Sequence, residues 1–192
     1  SGCPAAAIGD KYVNGSPIRQ EILETALEWI SGNKVEQYMA DHQAYPNASE
    51  LWIYFQAVIT WLESVFPKYR KEMKGVEWGF LYNEGSAGIY DAKALEEQIL
   101  KLIDDDEVGS HKGIYPYLLT GDERHLNLRR FDDKVKRRVF ERQKGFCAKC
   151  NKICDIGEME ADHITPWREG GKTDEANCQL LCMRCNRTKG SR

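Results

Sequence analysis

Six of the seven cysteines fall between Cys147 and Cys185, and four of them form two tight pairs. Cys147-Ala148-Lys149-Cys150 and Cys182-Met183-Arg184-Cys185 each fold two sulfurs toward one point, and two such turns close a tetrahedral shell around zinc. A disulfide module also clusters six cysteines. Two Cys-x-x-Cys pairs without a secretory signal favour thiolates on a metal in the reducing cytosol, so the expected location is cytoplasmic. Cys154 and Cys178 complete no such turn and read as spare buried thiols. A region with so few large apolar residues buries little surface, and metal binding supplies the missing folding free energy, on the order of 10 kcal/mol.

Between and after these pairs come Glu160-Ala161-Asp162-His163, Gly170-Gly171-Lys172-Thr173, Asn177-Cys178-Gln179-Leu180-Leu181-Cys182 and Cys185-Asn186-Arg187-Thr188-Lys189. In this order, over roughly residues 137–190, they resemble an HNH endonuclease of the His-Me finger, or ββα-metal, superfamily. The resemblance implies a small zinc-stabilised, treble-clef-like nuclease domain that acts on DNA.

Hydrolysing a phosphodiester needs a nucleophilic water, a base for its proton, and positive charge near the phosphate oxygens. A neutral imidazole serves as a base near pH 7, which assigns that role to His163. Asp162, adjacent on an extended strand, points to the other side and is free to hold a cation. The resemblance adds Asn186 as the second ligand of that cation and Asn177 as the residue that holds the His163 loop by hydrogen bonds. Many relatives carry His where this chain has Asn186, so the donors here are oxygens, which favour magnesium or manganese. The chain is therefore expected to bind two different metals. A histidine beside an aspartate also serves as a structural pair or a replacement zinc ligand, and a zinc-stabilised binding or interaction module without cleavage is the alternative reading.

The elements that must carry these residues follow from periodicity. The spacing predicts a strand near 159–164, a second near 177–181, and a helix from about Cys182 whose first amides favour the zinc thiolates. Ahead of them, a helix starting near Asp132 gathers Lys134, Arg137, Arg138, Glu141 and Arg142 on one face, with Val135, Val139 and Gln143 on another. Its basic face, with Lys172, Arg184, Arg187 and Lys189, supplies the candidate phosphate contacts. Net charge agrees: residues 1–131 carry 13 Lys/Arg against 20 Asp/Glu, and residues 132–192 carry 14 against 10, so the tail is the nucleic-acid candidate.

Residues 1–131 are read as a mainly helical accessory domain with short strands or loops, and 132–192 as the nuclease domain, an α+β arrangement. Ser16 with Pro17 opens a helix whose stripe is Ile18, Ile22, Leu23, Ala26, Leu27 and Ile30. Asn33 restarts a shorter helix, residues 50–66 form an unusually apolar central one, and Asp91 caps another with Leu95, Ile99, Leu102 and Ile103 inward. Residues 74–90, rich in glycine and aromatics, read as short strands or an ordered loop. The acidic run Asp104 to Glu107 is expected to fray or turn outward.

The run Asn14 to Glu21, the helix around Leu51 to Phe55, Trp78-Gly79-Phe80-Leu81-Tyr82 and Leu119 to Arg124 resemble the region preceding the nuclease in bacterial proteins related to GmrSD-type restriction systems. That similarity implies a role in defence against foreign DNA and an upstream ParB/sulfiredoxin-like nucleotide-handling domain, whose Asp-Gly-Gln-Gln-Arg motif is not in this sequence. The first residues lack Met, a basic start and a long apolar core, so the chain reads as a fragment without an intact signal peptide. No apolar run reaches bilayer length, so no membrane partner is expected. One catalytic centre cuts one strand per event, so double-strand cleavage needs two protomers, as in a homodimer, or two visits.

Overall fold

The computed structural model describes residues 11–14 and 19–189, so Cys3, Ser16, Pro17 and Ile18 lie outside the described residues. The chain divides into two compact units, one reaching Asn127 and one beginning at Leu128. The sequence reading put that boundary after residue 131. Phe131 packs against the core of the second unit, which draws the preceding residues in with it.

The front unit holds α1 (Arg19–Ser31), α2 (Val35–Asp41), α3 (Ser49–Val65), α4 (Trp78–Gly85), α5 (Ala92–Ile103) and α6 (Ile114–Thr120). The apolar α3 is the hub: Leu51, Phe55, Val58, Ile59, Leu62 and Val65 are buried on it, and α1, α4 and α5 pack around it. On α1 the buried face is Ile22, Ala26 and Trp29, while Leu23 is 47% exposed. The stripe is therefore rotated from the expected one, because the large indole of Trp29 sets which face turns inward.

Within residues 74–90, where short strands or an ordered loop were expected, Trp78–Gly85 form the helix α4, flanked by turns and irregular chain and preceded by a 3-10 turn at Lys71–Met73. Gly79 explains the misreading. A Cβ there would stand 2.2 Å from the Trp29 side chain, so this glycine serves close approach of α4 to α1. Tertiary packing thus overrides a weak helix propensity. Beside it the buried Trp78 donates its indole N–H to the Met73 carbonyl at 3.0 Å and lies 5.8 Å from the rings of Phe66 and Tyr115.

Asp91 caps α5 by accepting the N–H groups of Lys93 and Ala94, and Leu95, Ile99 and Leu102 are buried below it. The acidic run after α5 does not simply turn outward. Asp105 accepts the Glu107 N–H at 3.0 Å, and this turn folds both Glu107 and Val108 into buried positions. A bidentate pair from Arg70 to Glu96 ties the segment before α4 to α5. Pro116 lies in the first turn of α6, where a missing N–H breaks no helical bond.

The back unit runs α7 (Asp133–Gln143), β1 (Met159–His163), β2 (Cys178–Cys182) and α8 (Met183–Lys189). Asp132 caps α7 by accepting the Val135 N–H at 2.7 Å. The strands pair antiparallel, Met159 opposite Cys182 through His163 opposite Cys178, and form the only sheet among the described residues. The α7 helix packs on β2, and α8 packs on both strands. Their buried cluster is small: Val139, Cys147, Cys154, Met159, Cys178, Leu180 and Leu181. Gln143 extends the β2 edge like a short extra strand, accepting the Leu180 N–H at 2.8 Å and donating to the Leu180 carbonyl at 3.0 Å.

Candidate functional site

The two cysteine pairs meet. The Sγ atoms of Cys147, Cys150, Cys182 and Cys185 all lie within 4.8 Å of one another. A zinc ion with Zn–S bonds of ~2.3 Å needs sulfurs about 3.8 Å apart, and Cys150 and Cys182 stand at 3.9 Å. The donor set and spacing fit a tetrahedral thiophilic ion. His163 is not a member of this cluster.

Local backbone explains the convergence. Asn151 adopts a left-handed φ of 58° and donates its N–H to the Cys147 carbonyl, while the Cys147 N–H bonds the Lys152 carbonyl, closing the first knuckle. The second knuckle is the passage from β2 into α8, where the Cys182 N–H points at the Cys147 sulfur at 3.3 Å. Burial opposes ionisation of Cys147, yet N–H groups from Cys150, Cys182 and Lys149 outweigh it and bring the thiol down to about 6. Cys185 moves the other way, to about 12, held protonated by hydrogen bonds to Cys182 and by burial. Four crowded sulfurs cannot all ionise alone, and a dication removes that conflict. Cys154 and Cys178 are buried outside the cluster, and burial raises the Cys178 thiol to about 11.

At the other end of β1, Asp162 and His163 occupy opposite faces of the strand. His163 is half-buried; its Nε2 lies 2.9 Å from Thr173 Oγ1, and its ring centre stands 4.4 Å from that of Phe131. Asn177 braces the loop that follows. Its Oδ1 accepts the Thr165 N–H at 2.8 Å, and its Nδ2 donates to the carbonyls of Thr165 at 3.0 Å and Lys172 at 2.9 Å. Gly171 closes this loop because a Cβ there would lie 1.9 Å from the Thr165 oxygen.

The Asp162 face is rich in oxygen and turned to α8. Gln179, opposite in register, donates to Asp162 Oδ2 at 2.8 Å, and the Lys189 ammonium contacts the same oxygen at 2.6 Å. Lys189 also donates to the His163 carbonyl at 2.5 Å. Asn186 donates from Nδ2 to Glu160 Oε2 at 2.6 Å, which makes its Oδ1 the atom that could bind a cation. A positive group thus already rests on a carboxylate and a carbonyl, and the donors are the hard oxygens that magnesium or manganese take.

Of the basic residues, Lys134 and Arg137 are exposed on α7, and Arg184 is exposed on α8. Lys172 and Arg187 are exposed as well. Arg138 pairs with Glu175 at 3.1 Å. Arg142 donates to the Cys178 carbonyl at 2.7 Å and so holds the approach to β2, an internal duty that the face count on α7 did not reveal. Lys189 is likewise engaged with Asp162. Gln179, Thr173 and Glu160 received no role from sequence; strand register alone brings Gln179 to Asp162, and periodicity carried no signal for the other two.

Residues 147–192 match the family model described as HNH endonuclease. No curated protein and no solved structure gives a significant match to the chain.

Proposed function

We propose that the HNH domain at residues 147–192 hydrolyses phosphodiester bonds in DNA, with His163 as the base and Asp162 and Asn186 as ligands of a magnesium or manganese ion. The observation that carries this reading is the split at the end of β1, which turns the imidazole to one face and a cation-holding carboxylate to the other. With the Thr173 hydroxyl directed at the Arg129 carbonyl at 3.5 Å, its oxygen accepts the Nε2–H of His163, which leaves Nδ1 to take the water proton. Asn177 keeps the loop after β1 closed and thereby fixes where the imidazole stands. The divalent ion, when bound, supplies positive charge to the phosphate oxygens as they become more negative. Zinc in the four-cysteine cluster holds β2 and α8 in place, and Lys134, Arg137, Lys172, Arg184 and Arg187 offer charge to the nucleic-acid backbone. The similarity of the front unit to the GmrSD-related region supports a role in restriction of foreign DNA.

Supercoiled plasmid incubated with the protein and magnesium or manganese tests the reading. Wild type is expected to nick the plasmid, and His163→Ala to lose about 10²- to 10⁴-fold in rate while keeping its zinc. Absence of nicking with either ion would leave a zinc-stabilised binding module. Cleavage of modified against unmodified DNA then tests the restriction role.

A further inference from the structure

We infer that Lys189 is a built-in stand-in for the divalent ion, a positioning residue whose ammonium competes with the ion for Asp162. The inference rests on the ion-site reading above. Its geometry comes from α8 lying across β1. The Lys189 ammonium contacts Asp162 Oδ2 at 2.6 Å and the His163 carbonyl at 2.5 Å, so it rests on both a side chain and the main chain of the strand end. The pair is partly shielded: the Lys189 side chain is 34% exposed and that of Asp162 is 18% exposed. Gln179 bonds the same Asp162 oxygen at 2.8 Å and fixes the carboxylate while the lysine is there.

A carboxylate can carry a cation on each oxygen, but the ammonium already on Asp162 Oδ2 repels a second cation, and in this partly shielded setting that repulsion weakens its binding. Ion entry and the Lys189 pair therefore oppose each other in the absence of nucleic acid. In the rest state the ammonium neutralises Asp162 and keeps the end of β1 tied to α8. Ion binding frees the ammonium on the side of the site where phosphate is expected. The apparent affinity for the ion is lowered by the fraction of time the lysine is in place.

Manganese binding to the zinc-loaded full chain, read from the electron paramagnetic resonance signal of free Mn²⁺ without nucleic acid, tests this. Lys189→Met is expected to bind Mn²⁺ about three- to tenfold more tightly than wild type. Lys189→Arg keeps the charge and should stay near wild type, and Asp162→Asn should lose the ion. Unaltered zinc content shows that each variant is folded. Tightening of less than twofold in Lys189→Met, or weaker binding, overturns the stand-in role and leaves the ion site standing. Equal binding by Asp162→Asn and wild type, or no Mn²⁺ bound by any form, overturns the ion-site reading itself.

Discussion

The two units solve the same problem with different materials. Through Asn127 the chain builds a core of large side chains, among them Trp29, Phe55, Leu62, Met73, Trp78 and Tyr115, all essentially inaccessible to solvent. From Leu128 onward the buried cluster has, among the described residues, seven members, three of them cysteines and only four of them Val, Met or Leu. The first unit can be held by apolar burial. The second buries little apolar surface and instead brings together four sulfurs that could hold a metal ion, whose binding would then stabilise its fold.

The largest test of this contrast is metal removal. Chelation, or Cys147→Ser, is expected to withdraw stabilisation on the order of 10 kcal/mol from the back unit. Hydrogen exchange should then show lost protection across residues 128–189 with protection retained across 19–127. Equal loss in both would break the comparison. Next, Leu62→Ala opens a cavity at the centre of α3 and should cost about 2–5 kcal/mol. Urea unfolding followed by tryptophan emission reads mainly the front unit, which contains Trp29, Trp52, Trp61 and Trp78 against Trp167 in the back. Zinc content should not change.

Gln143→Ala tests whether a polar edge matters where apolar burial is thin. It strands the Leu180 N–H, while the Leu180 carbonyl keeps the Ala148 N–H at 3.0 Å, and should cost about 1–3 kcal/mol, read as faster exchange in residues 178–182. The smallest effect is expected at acid pH in the front unit. The Arg70 guanidinium holds the Glu96 carboxyl below its usual range, so the pair stabilises above the unfolded carboxylate value, about 4.3, and that contribution disappears as pH falls through the lower folded value. Arg70→Met should lower the urea midpoint at neutral pH and flatten its decline in acid.

Sequence alone was enough to mark the two cysteine pairs as one cluster, because Cys-x-x-Cys spacing is a local property that survives any reasonable fold. It also determined α3, α5 and α7, whose apolar periods and caps are local, and it located Asp162 and His163 on neighbouring positions of a strand. It did not determine α4, because the glycine that lowers local helix propensity is needed for contact with Trp29, a residue far away in the chain. Nor did it show that Lys189, Gln179 and Asp162 share one oxygen atom, or that Arg142 serves backbone carbonyls near β2. Those facts depend on strand register and on where a helix end crosses a sheet. Short-range spacing cannot encode them, since they arise only when distant segments pack.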